Sequence, residues 1–198
     1  MAGRLATRIG KVLPRRRARR FLRDDRGVTI VEFGLLATPF FAIVGAILET
    51  SVVFLSGQIL DSAVQDVSRL IRTGQAQQAA MTPAGFKTAV CDRVFGLFSD
   101  CEGPGGLHVE VQVLDAFSDV DMTPPVNWTC DEDEDEAACA AWTRPEAFTP
   151  GQGSSIVTVQ VYYQWPLILS MDWLGLSNLP SGKRLMAAAA AFRNEPFT

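Results

Sequence analysis

The sequence predicts an α+β protein in which one long N-terminal helix packs across an antiparallel sheet of three or four strands. The first observation behind this prediction is an apolar run that continues into an amphipathic run, from Val28 to about Thr73. The second is a set of three segments, residues 107–113, 155–165 and 183–193, whose apolar residues recur at every second position. Such alternation is typical of half-buried strands.

The charge of the chain is distributed very unevenly. Residues 1–26 hold ten of the 18 Lys and Arg residues and only two of the 22 acidic residues, which leaves this segment near +8. The remaining eight basic and twenty acidic residues leave the rest of the chain near −12. An acidic surface repels phosphates, so the body of the protein is not expected to bind nucleic acid.

The apolar run over residues 28–55 is predicted to span a membrane. Its uninterrupted part, Phe33 to Leu48, has 16 residues and as a helix would cover only ~24 Å of a hydrocarbon core ~30 Å thick. The span therefore includes neighbouring residues on one or both sides. The basic residues before it place the N-terminus in the cytoplasm and the chain after Leu55 on the exported, periplasmic side of an inner membrane.

Two features of the sequence bear on whether this apolar run is a cleaved secretory signal or a membrane helix. A cleaved secretory signal is the simpler interpretation, but no A-x-A site closes the run, and the nearest approximation, Val44-Gly45-Ala46, lies inside it. Glu32 lies near the start of the run, and a lone carboxylate at mid-membrane costs ~2.5 to 3.5 kcal/mol. Glu32 therefore either reaches water at the headgroups or has a charged partner.

The string Arg26-Gly27-Val28-Thr29-Ile30-Val31-Glu32-Phe33 resembles the cleavage site of type IV prepilins. More specifically, RGVTIVEFGLLATPFF and the later LDSAVQDVSRLIRTGQ resemble the TadE-like pseudopilins, minor pilins of the tight adherence (Tad/Flp) pilus system. The C-terminal Arg193-Asn194-Glu195-Pro196-Phe197 is similar to the ending common in that family.

The resemblance implies a non-catalytic pilus-assembly subunit with a pilin-like fold. Residues 1–27 would be a leader that a prepilin peptidase removes between Gly27 and Val28, residues 28–55 a transmembrane helix, and residues 56–198 an exported domain. Glu32, fifth in the mature chain, and Phe33 would pair with other pilin-like subunits. The inner-membrane assembly platform would be a further partner, and the subunit could enter an extracellular pilus.

The remaining elements follow from local signals. Thr82-Pro83 supplies an N-cap and a first-turn proline for a second helix that is expected to reach about Phe98. His108 occupies a polar position of the strand at residues 107–113, so its side chain is expected to face solvent. The Ala187–Ala191 run is ambiguous between helix and strand, and its length and the preceding Pro-Ser-Gly turn favour a strand.

Residues 116–153 are rich in Pro, Asp and Glu and are predicted to form a long loop. Its acidic run at residues 131–136 raises the possibility of a calcium site, but the run lacks the spaced ligands and glycine of an EF-hand. We therefore expect a solvated charge run.

Four cysteines, Cys91, Cys101, Cys130 and Cys139, lie after the apolar run, and an even number in an exported domain favours disulfides. Three pairings are formally possible, of which Cys91 with Cys101 and Cys130 with Cys139 is favoured. The spacings do not match zinc motifs, and His108 is the sole histidine, so no metal or other cofactor is expected.

Two functional classes compete. One is the non-catalytic pilus subunit that the resemblance implies, and the other is a membrane-tethered periplasmic enzyme or binding module unrelated to pili. The sequence contains no G-x-S-x-G, H-E-x-x-H or P-loop motif. The pilus subunit is therefore the favoured interpretation.

Overall fold

A computed structural model describes residues 28–129, 139, 141–168 and 175–197. The chain divides into two compact units, residues 1–44 and 45–198. Helix α1 begins in the first unit and continues into the second. The helices are α1 (Val28–Arg72), α2 (Gln75–Gln78) and α3 (Pro83–Cys91), and the strands are β1 (His108–Leu114), β2 (Ala147–Phe148), β3 (Ile156–Trp165) and β4 (Arg184–Arg193). The predicted α+β layout is confirmed.

The second part of α1 is amphipathic, as its three- and four-residue spacing predicts. Its apolar face is fully buried in the core at Leu60, Val64, Val67 and Ile71. The charged and amide side chains between them are exposed, at Asp61, Gln65, Asp66 and Arg69. The helix stops where Gly74 takes a left-handed φ of 80°. Glycine adopts this conformation without the steric cost that a side chain would bring.

The four strands form one sheet in the order β2-β1-β3-β4. β3 pairs antiparallel with β4 along its full length and with β1 over residues 156–162, while β2 pairs parallel with β1. The alanine run is therefore a strand, with Ala188 and Ala190 in the core. The sheet is mixed rather than wholly antiparallel, because the region predicted to be a loop supplies the two-residue β2.

The face of the sheet opposite the core is not open to solvent. β3 is buried at nine of its ten positions, including Thr158, Gln160 and Gln164. His108, expected to be exposed, is only 2% exposed, and the expectation is corrected. Described residues on either side of position 130, among them Asp121, Thr123, Trp142 and Arg144, cover this face. The Trp142 ring is stacked on His108 at a centroid distance of 4.7 Å.

The helix after Thr82 is shorter than predicted. The Thr82 hydroxyl caps it by accepting from the Gly85 N–H at 3.1 Å, but α3 ends at Cys91 rather than near Phe98. Phe95 and Gly96 both have positive φ, at 53° and 70°, and a positive φ is incompatible with a right-handed helix. The chain turns back there toward Cys101.

The structure contains the favoured Cys91–Cys101 disulfide, which ties the end of α3 to the segment leading into β1. Cys139 is also in a disulfide. Cys130 lies outside the described residues, as do Gly27 and the acidic run at 131–136, so the pairing of Cys130 with Cys139 stays a prediction.

Reduction of the Cys91–Cys101 bridge should lower the melting temperature of the detergent-solubilised protein. The two cysteines are 10 residues apart, and closing a loop of that size in the unfolded chain contributes about 2 to 3 kcal/mol. Melting of the Cys91→Ser/Cys101→Ser protein, followed by tryptophan fluorescence with and without reductant, measures the effect. Four reactive thiols in the exported, denatured protein would show that neither bridge forms.

Candidate functional site

The described part of the first unit, residues 28–44, is a helix whose apolar side chains are almost all exposed. Its large exposed residues are Val28, Ile30, Val31, Phe33, Leu35, Leu36, Phe40, Phe41 and Ile43. A helix that is apolar on all sides requires an apolar environment. α1 is also long and apolar enough to cross a membrane, so this surface is suited to lipid or to the helices of partner subunits.

Three of the residues predicted to act in processing and pairing lie at the start of this helix. Val28 is the first residue of α1, and Glu32 and Phe33 follow one turn later. Glu32 is exposed, and no side chain in the described part of the chain forms an ion pair with it. Its carboxylate is therefore open to a partner outside the described residues.

The C-terminal residues join the end of α1 to the start of β3. The Asn194 side chain is buried, and its amide nitrogen donates to the carbonyls of Pro150 and Gln152, both at 3.0 Å. The Asn194 backbone N–H donates to the Ser155 carbonyl at 2.8 Å. The next N–H, of Glu195, donates to the Arg72 carbonyl at 2.8 Å and so satisfies one open carbonyl at the end of α1.

Two glycines make room for Phe197 beside this connection. A Cβ on Gly74 would lie 2.6 Å from the ring of Phe197, and a Cβ on Gly153 would lie 2.6 Å from its carbonyl oxygen. Real Cβ atoms do not approach so closely, so a side chain at either glycine would displace the C-terminus. We call Asn194, Glu195 and Phe197, with the groups that they contact, the C-terminal clamp.

A second group of polar side chains lies on the covered face of the sheet. Arg144 donates to both carboxylate oxygens of Glu110, at 3.2 and 2.9 Å, and this contact raises the pKa of the Arg144 guanidinium. The same carboxylate lies 3.1 Å from Nε2 of His108. Burial raises the pKa of Tyr162, whose hydroxyl donates to Gln160.

These contacts hold the covering segment on the sheet. Gln160 donates to the Asp121 carbonyl at 2.7 Å, and Arg144 also donates to the Thr123 carbonyl at 2.9 Å. The donors and acceptors of the group are bonded to one another, as buried polar groups require. The group is missed by sequence reasoning because Glu110 and Arg144 are 34 residues apart, and no short motif joins them.

The described residues contain no group of three or more His, Cys, Asp or Glu side chains that could hold a metal ion. In the part of the chain that the structure describes, the side chain of His108 contacts Glu110, Trp142 and Tyr162, none of which is a serine or cysteine nucleophile. The chemistry of the polar group on the sheet is that of a structural ion pair, which fixes a loop without reacting.

Comparison with known proteins bears on α1, nearly all of which it covers. Residues 27–69 match the TadE-like protein family. No curated protein and no solved structure matches the chain. The TadE-like match supports, over residues 27–69, the resemblance drawn from the sequence.

The TadE-like family is a pilus component and is generally non-catalytic. A pilus subunit interacts with other pilus components and with the membrane, and the apolar first part of α1 suits both.

The C-terminal clamp gives a stability prediction. Asn194→Ala should destabilise the protein by about 1 to 3 kcal/mol, because the two hydrogen bonds from this buried side chain to the Pro150 and Gln152 carbonyls are lost. Asn178→Ala is the matched control, since Asn178 also bonds to backbone, at the Leu185 N–H, but in an exposed position. Urea unfolding in detergent measures both variants, and equal midpoints would show that the clamp adds no stability.

Proposed function

We propose that this protein is a non-catalytic pilus-assembly subunit, a TadE-like pseudopilin or minor pilin. In this proposal it is made as a prepilin, a prepilin peptidase cuts it after Gly27, and the mature subunit takes part in Tad/Flp pilus biogenesis by priming assembly or by occupying the tip. The observation that carries the proposal is that the family match begins at Gly27, the last residue of the proposed leader and the first after its basic residues.

The distribution of charge along the chain supports an orientation with the leader in the cytoplasm. Ten basic residues precede the apolar run, and positive charge is retained on the cytoplasmic side of membranes. The domain that follows Leu55 would then be periplasmic, where the Cys91–Cys101 disulfide is stable. The partners would be the peptidase, other pilin-like subunits and the inner-membrane assembly platform.

Determination of the mature N-terminus tests the proposal. We expect intact-mass measurement or N-terminal sequencing of the membrane-extracted protein to find a chain that begins at Val28. A chain that retains the basic leader, or that begins at Ile47 after Ala46, would contradict the proposal. Either result would favour the competing interpretation, a periplasmic module tethered by its N-terminal segment or released from it.

A further inference from the structure

The end of the sheet nearest residues 45–52 of α1 has an apolar groove of about 530 Å³. Gly45, Leu48, Glu49 and Val52 of α1 form one wall, and residues 165–168, which follow the end of β3, form the other. The Ile168 N–H donates to the Glu49 carboxylate and fixes this segment against the helix. The Ile168 side chain is 92% exposed.

The exposed side of α1 is still apolar at the level of the groove and beyond it. Ile47, Leu48, Val52, Phe54 and Leu55 are all exposed. Ser51 is exposed among them, but its hydroxyl donates to the Ile47 carbonyl, and the next exposed polar residue is Gln58. A helix that enters a membrane at Val28 needs about 20 residues to cross the hydrocarbon core. The far boundary of that core therefore falls close to the groove, within the stretch that remains apolar.

A second exposed apolar residue lies on a segment at the same end of the sheet. Phe95 is 82% exposed. Three residues later, Phe98 packs edge-on against Trp165 at a centroid distance of 5.5 Å. Among the large apolar residues that are described after Leu55, Ile168 and Phe95 are the two most exposed.

The composition of this end of the sheet matches a membrane interface. Trp165 is opposite Arg184 in the β3–β4 pairing. Lys183 is the residue directly before Arg184. Tryptophan and basic residues are enriched at the headgroup level, where an indole ring and a long cationic side chain bridge lipid and water.

We infer that the exported domain is seated on the bilayer, with Ile168 and Phe95 inserted among the phospholipids of the outer leaflet beside α1. Lipid is the occupant of the groove because the groove is continuous with the exposed apolar surface of α1. This inference rests on the membrane insertion in the proposed function. It adds a second membrane contact, 40 residues or more from the apolar run in the sequence, that would fix the height of the domain above the membrane.

Site-directed fluorescence on the full chain in vesicles of phosphatidylethanolamine and phosphatidylglycerol tests the inference. Ile168→Cys and Phe95→Cys would each be labelled, without reductant, with the environment-sensitive dye NBD. The two quenchers are a nitroxide carried on lipid chains and aqueous iodide. Phe117→Cys is the matched control in water, because Phe117 is also exposed but follows Leu114, at the opposite end of the sheet.

We expect the labels at residues 168 and 95 to be quenched by the lipid nitroxide, to emit at shorter wavelength and to lose iodide quenching relative to residue 117. Phe41→Cys, in the apolar run, shows separately whether α1 is in the bilayer. Lipid quenching at residue 41 together with iodide quenching at residues 168 and 95 would overturn the inference and leave the proposed function intact. Protection from both quenchers would also overturn it, because a second protein copy would then cover the groove.

Discussion

The variant Gly27→Glu should accumulate as an uncut precursor that retains its basic leader. A peptidase that recognises a small residue in a narrow cleft has no room for a longer, charged side chain. We expect processing to fall from complete to undetectable, which is the largest single-residue effect that the proposed function implies. Expression in cells that contain a prepilin peptidase, followed by intact-mass measurement of the membrane fraction, measures the fraction that is cut.

Gly27→Ala is the matched control, because alanine adds only a methyl group and should permit cleavage. The unmutated chain in cells without the peptidase should also retain its leader. Cleavage of Gly27→Glu before Val28 would show that the residue before the cut is not recognised. Cleavage of every variant after Ala46 would identify a secretory signal instead.

The elements that the sequence predicts are those with local signals. The second part of α1 and strands β1, β3 and β4 follow from apolar spacings of three to four and of two residues, which depend only on neighbours in the chain. Their observed bounds, such as Ile156–Trp165 against a predicted 155–165, differ by one residue or so. The alanine run became a strand because β4, which contains it, pairs with β3 at ten positions.

The features that sequence reasoning misses depend on distant contacts. His108 is buried because Trp142 stacks on it and Arg144 pairs with the neighbouring Glu110. No residue near His108 in the sequence indicates that this distant segment packs on it. The early end of α3 reflects the positive φ of Phe95, a conformation that phenylalanine rarely adopts.

The candidate site likewise combines residues that the sequence indicates with contacts that only the structure shows. The family resemblance identified the C-terminal Asn194-Glu195-Pro196-Phe197, but only the structure shows what these residues do. Glu195 bonds to the carbonyl of Arg72, more than 100 residues away in the sequence. These residues lie outside the part of the chain that matches the family, and their contact joins the C-terminus to the end of α1.

Glu32→Gln should permit insertion and cleavage but impair association with other pilin-like subunits. Cleavage before Val28 creates a cationic amine one helical turn from Glu32, and each charge is costly alone near a membrane. Glu32 is exposed, so it can reach either its own amine or that of a neighbouring subunit. The resemblance to pilins favours the neighbour, in which case the variant leaves that amine without a charged partner.

Removing one partner of a buried ion pair costs about 3 to 5 kcal/mol, so we expect at least a roughly hundredfold loss of affinity. Co-purification of the other subunits from detergent-solubilised membranes, at matched expression, measures the loss. Glu49→Gln is the matched control on the same helix, since a glutamine oxygen can still accept from the Ile168 N–H. Equal recovery of partners by Glu32→Gln, with normal piliation, would mean that Glu32 only extends to the headgroups and pairs with no neighbouring subunit.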